Sequence, residues 1–124
     1  MKLSDCTQAY PALLALMEQP MDYKSAYALV RLKAVLQPKA EFYAKEEMKL
    51  VEACAERDED GKVLWTGKGS FRFADDTAAA TYTEKRKELD EIQVEAMEKI
   101  RIPAPKSISP AQLEALLPFV EVET

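Results

Sequence analysis

Three carboxylates stand at alternate positions, Glu56, Asp58 and Asp60, directly before Gly61 in the run ERDEDGKV. This is how a calcium loop between two helices presents its first oxygen ligands, ahead of an invariant glycine at position six. Aligned on Gly61, Val63 takes the eighth position, where such loops carry an apolar residue. The twelfth position should supply a bidentate glutamate, and here it is Gly67. Two coordinating oxygens are missing, and the residues that follow are β-branched and aromatic rather than the start of a second helix. The stretch therefore reads as a turn that ends one element and opens the next, with Gly61 supplying a positive φ. Asp58 and Asp60 stay as weak, adventitious metal candidates.

Other chemistry is poorly provided for. The chain has no histidine, which removes Ser–His, Cys–His and His-base mechanisms. Its two cysteines, Cys6 and Cys54, lack the close spacing of a zinc site and make no disulfide framework. Both are expected to stay reduced. Cys54 sits in an apolar helical pattern as a small buried residue, whereas Cys6, near the N-terminus, is open to exposure. Gly67-Lys68-Gly69 is too short to cradle phosphates. Ser70 and Lys68 fall at a wet hairpin tip, while a Ser–Lys dyad needs a buried lysine. No catalytic or cofactor-binding residue is assigned, and no cofactor is expected. Trp65, Phe71 and Phe73 have two readings: rings that cover the helices as core, or an aromatic patch for a protein partner.

The elements that must position these residues are readable in outline. Leu13, Leu14, Leu16 and Met17 suit a short helix with Pro11 in its first turn, residues 3–10 forming a separate turn before it. Asp22 can cap a second helix. Its apolar residues Leu29, Leu32, Leu36, Ala40, Tyr43, Leu50 and Cys54 recur at the period of one helix face. Pro38 interrupts this run without shifting its register, so one long kinked helix over about 22–56 or two helices nearly in line are expected. A short connection makes the first two helices an antiparallel hairpin.

Residues 62–73, KVLWTGKGSFRF, read as a β-hairpin around glycine. A third helix runs from about 75–77 to Asp90, with Thr81 and Glu84 as a second possible start. Residues 91–102 fit a strand or a helix face equally well. Ser109, Pro110 and Gln112 then begin a short helix with a capping box, Ile108 and Leu113 forming its hydrophobic staple. Val120 to Glu123 read as a final edge strand.

The 124 residues fit a single α+β domain. Residues 1–57 form the helical hairpin, packed on a small antiparallel sheet. Residues 58–124 supply the β-hairpin, a helix, a strand and the short C-terminal helix. A net charge of -5 disfavours nucleic acid, whose phosphates need clustered cations. No run is apolar enough for a membrane span, and the N-terminus lacks the apolar stretch of a signal peptide. A soluble, cytoplasmic protein is expected.

Asp60-Gly61, Ile92 to Glu95 and Ile108 to Val120, in this order of elements, resemble a family of small phage and prophage proteins of unknown function. Pro38 departs from the family's pattern. The resemblance covers most of the chain, carries no catalytic motif, and implies a bacterial host cell or virion setting with a role in assembly or host manipulation. The function expected is a non-enzymatic protein–protein interaction or assembly protein whose partner includes, as one option, a second copy of itself. Alternatives are a small acidic inhibitor of a host enzyme and a carboxylate-dependent enzyme.

Overall fold

The computed structural model describes residues 1–123. Its elements follow the order α1 (Leu3–Met17), α2 (Tyr23–Cys54), β1 (Trp65–Gly67), β2 (Ser70–Phe71), α3 (Asp76–Asp90), β3 (Ile100–Ile102), α4 (Pro110–Leu116) and β4 (Val120–Val122). The fold is α+β, with a long second helix. The strands form two separate pairs: β1 with β2 antiparallel, and β3 with β4 parallel.

α2 is the spine. Its 32 residues span ~48 Å at the α-helical rise. The Asp22 carboxylate accepts from the Ser25 amide at 3.1 Å and starts the helix. Pro38 lies inside one continuous helix. It removes one backbone donor on an exposed turn, while Leu36 and Ala40 on either side stay buried and hold the register.

α1 is not the short helix expected to begin near Pro11 and end at Pro20. It begins at Leu3, and Pro11 sits in its interior. The reason is burial: Leu3, Cys6, Ala9, Ala12, Leu13 and Leu16 recur at helical spacing and all face inward. Cys6, read as open to exposure, is thus only 1% exposed. Burial also raises its thiol pKa.

Two clusters lie along α2. The main core joins Leu13 and Leu16 of α1 to Leu29, Leu32 and Leu36 of α2, closed by Ile102, Leu116, Phe119 and Val120. A smaller cluster further along joins Leu3, Tyr43 and Leu89. Leu3 meets Tyr43 while Leu16 meets the N-terminal half of α2, so the two helices run antiparallel. Ser109 and Gln112 form a capping box at the start of α4.

The ambiguous stretch 91–102 is not helical: it makes one isolated bridge at Gln93 and ends in β3. The Leu3 amide donates to the Ile92 carbonyl at 2.7 Å, and the Val94 amide to the Met1 carbonyl at 2.9 Å. Lys2 and Gln93 form an antiparallel bridge. Ile92 stays exposed, so the strand-like alternation does not bury one face of that segment.

Candidate interaction surfaces

The acidic run is a turn built by Asp58. Its carboxylate accepts from the amides of Asp60 at 2.9 Å and Lys62 at 3.0 Å. Its carbonyl accepts from the Gly61 amide at 3.0 Å, and its own amide donates to the Lys62 carbonyl at 2.8 Å. Gly61 adopts φ 77°, a left-handed conformation that glycine reaches without steric penalty. Arg57 closes the loop by donating to the Gly61 carbonyl at 2.6 Å. One Asp58 oxygen is thus committed to the backbone, and Asp60 lies exposed. Among the described residues no three histidine, cysteine, aspartate or glutamate side chains converge as a metal site would require.

Trp65, Phe71 and Phe73 do come together. Trp65 and Phe71 meet edge to face at 6.2 Å between ring centroids, and Phe71 and Phe73 at 5.3 Å. A fourth ring, Tyr82 of α3, lies 5.7 Å from Phe71 and 5.2 Å from Phe73. These are the offset and edge-on geometries that ring quadrupoles favour, worth ~0.5–1.5 kcal/mol per pair beyond burial. The rings therefore fasten the hairpin to α3 as a satellite cluster, apart from the main core. Trp65 remains 47% exposed at its rim.

A polar seam continues from Tyr82 to α2. Arg86 donates to the Tyr82 hydroxyl at 2.9 Å and pairs with Glu47 at 2.8 Å. Tyr43 donates to the Asp90 carboxylate at 2.5 Å. Burial first, and the bond to Asp90 second, push the Tyr43 phenol above its ordinary pKa. For Arg86, burial opposes the charge, but Tyr82, Tyr43 and Glu47 outweigh it and hold the guanidinium protonated. These groups tie α3 to α2.

The largest exposed rings lie on the solvent side of α2, which the sequence reading did not single out. Tyr23 is 96% exposed, Tyr27 66% and Val30 52%. With exposed Ala34 they step by four, three and four, a strip about opposite Leu29, Leu32 and Leu36. The signal was present in the residues: a second apolar period on the same helix, rotated by about half a turn. Such exposure contributes almost nothing to stability. Aromatic and β-branched residues are also modest helix formers. Neither folding nor local propensity accounts for the strip.

The charges beside it are one-sided. Residues 23–40 contain Lys24, Arg31, Lys33 and Lys39 and no carboxylate, although the chain as a whole is acidic. Within the first turn of α2 itself there is no acidic residue, and the nearest carboxylate is the N-cap Asp22. Next to this half of α2 runs a groove of about 850 Å³, with Ala28, Arg31 and Val35 on one wall and Met97, Lys99 and Arg101 on the other.

No protein-family model, no curated protein sequence and no solved structure matches this chain. No helix among the described residues is long and apolar enough to cross a membrane.

Proposed function

We propose that this chain is a non-enzymatic protein–protein interaction or assembly protein, and that the solvent side of the N-terminal half of α2 is its contact face. The exposed strip of Tyr23, Tyr27 and Val30 carries the reading. Tyrosine offers large contact area at low entropic cost and is frequent among binding anchors. The Asp58 turn and the Tyr43–Asp90 and Arg86–Glu47 pairs serve the fold, which supports a role without chemistry of its own. A phage or prophage setting rests on the likeness at Asp60-Gly61, 92–95 and 108–120.

The flanking cations narrow the partner. Two copies meeting strip to strip would set Lys24 and Arg31 against their own kind, a repulsion that unlike, acidic partners avoid. A partner carrying carboxylates around an apolar ridge fits better than a second copy. The test is recovery of the tagged chain from its own cells, beside a Tyr23→Ser, Tyr27→Ser variant. A protein co-eluting in fixed ratio with the parent and lost from the variant, at unchanged melting temperature, supports the reading. Equal recovery with both chains, or none with the parent, overturns it.

A further inference from the structure

The outer strip of α2 keeps the spacing of a coiled-coil seam. Tyr23, Tyr27, Val30 and Ala34 follow one another by four, three and four residues, and all are exposed. That is the alternation of the two inner positions of a heptad. At the α-helical rise the strip is ~17 Å long. Its next two positions, Gln37 and Glu41, are polar, and the Gln37 side-chain amide donates to the Glu41 carboxylate at 3.0 Å. The apolar seam therefore ends at Ala34, against side chains already engaged with each other. A strand repeats every two residues and does not match this period. A second helix does, laying its own ridge of side chains along the strip.

The same register places Lys24 and Arg31 directly after Tyr23 and Val30, and Lys33 directly before Ala34. These positions border a helical seam, and their charges select its partner. The remaining bordering position holds Ala26, so every charge that borders the strip is positive. Among the described residues none of the three cations pairs with a carboxylate. Asp22 is engaged by the Ser25 amide as the helix cap. Glu98 and Glu123 line the groove beside Lys24 and Arg31 but stand beyond ion-pair distance of them, and Lys33 borders the opposite flank. A second copy brings no carboxylate to any of these positions in either orientation.

We propose that the strip takes an amphipathic α-helix of a partner protein, its apolar ridge on Tyr23, Tyr27, Val30 and Ala34 and its bordering glutamates on Lys24, Arg31 and Lys33. The proposal rests on the interaction reading and gives the partner a form and a charge pattern.

The test uses the full chain, labelled for amide NMR, and a synthetic peptide of three heptads with leucine at both seam positions and glutamate at the bordering ones. Repulsion among its glutamates keeps the peptide from pairing with itself. A second peptide carries lysine for each glutamate. Expected are saturable shifts at the amides of Tyr27, Val30 and Lys33 with the acidic peptide, a gain of helical circular dichroism on mixing, and neither with the basic one. Lys24→Glu, Arg31→Glu and Lys33→Glu together weaken the acidic peptide by about tenfold and transfer binding to the basic peptide. Arg31→Glu alone, at an exposed site, moves both affinities in the same directions. Equal response to both peptides, shifts without a gain of helix, or indifference of both affinities to Arg31→Glu overturn the proposal. So do shifts at the same amides with phosphatidylglycerol vesicles while the acidic peptide stays silent, which would assign the face to a lipid surface. A tyrosine-dependent protein recovered from cells alongside a silent peptide overturns the helical form alone and leaves the interaction reading intact.

Discussion

Replacing Leu89 by alanine should open α3 without unfolding the rest of the molecule. Leu89 is the buried residue of α3, at 7% exposure. It packs in a cluster of only three buried side chains, with Leu3 and Tyr43, separate from the main core of α1, α2 and α4. Burying leucine and then deleting it costs ~2–5 kcal/mol. A small cluster with exposed neighbours can collapse around the gap, so the lower part of that range, ~2–3 kcal/mol, applies. The seam of Tyr43 with Asp90 and of Arg86 with Glu47 survives the change but is mostly at the surface, where ion pairs contribute ~0–1 kcal/mol. If α3 opens as a unit of its own, its amides in Leu89→Ala should exchange with solvent about 30- to 150-fold faster, at one decade per 1.4 kcal/mol. Amides of α1 and of α2 around Leu29 to Leu36 should keep their rates. Native-state hydrogen exchange read by mass spectrometry or NMR gives the answer. Equal acceleration in α1, α2 and α3 would refute the division into two clusters, because α3 would then open only with the whole fold.

Four further outcomes follow from the same structure. Tyr43 has a raised pKa in the folded state, so the stability it contributes is fully present below the ordinary tyrosine range, about 10, and is lost as pH rises through the folded value. Exchange in α3 should accelerate on the alkaline side of that range, and Tyr43→Phe should abolish this pH step. Pro38→Ala restores a backbone donor at an exposed turn of α2 and should raise stability by ~1–3 kcal/mol in urea titration; an unchanged or lowered midpoint would contradict this. Ser109→Ala removes the capping box of α4 and should cost about 1 kcal/mol by the same titration. Millimolar calcium should leave the melting temperature unmoved, because Asp58 already serves the turn; a calcium-dependent rise lost in Asp58→Asn would contradict that.

Much of this fold was legible because single residues carried it. Ser109, Pro110 and Gln112 mark the start of α4, and Asp22 and Asp75 mark α2 and α3, since caps act locally. Pro11 misled for the opposite reason. Its local preference for a first turn lost to the burial of Leu3, Cys6 and Ala9, a tertiary effect. The parallel pairing of β3 with β4 was hidden as well, because pairing direction depends on how 103–119 route the chain and no short pattern encodes it. Of the candidate surfaces, Trp65, Phe71 and Phe73 were visible as residues, but their anchor Tyr82 lies on another element. The strip of Tyr23, Tyr27 and Val30 was readable in principle. It was masked by the stronger leucine period of the same helix, and exposure decides between two periods only once the core is known.

Crosslinking at position 27 tests the central claim most directly. The chain, with Tyr27 replaced by a photoreactive phenylalanine analogue, is irradiated in its own cells beside a control carrying the analogue at Glu59 on the acidic turn. The account predicts one discrete protein adduct from position 27 and none from position 59. No adduct from position 27, or the same adducts from both sites, would contradict the assignment of α2's outer side as a contact face.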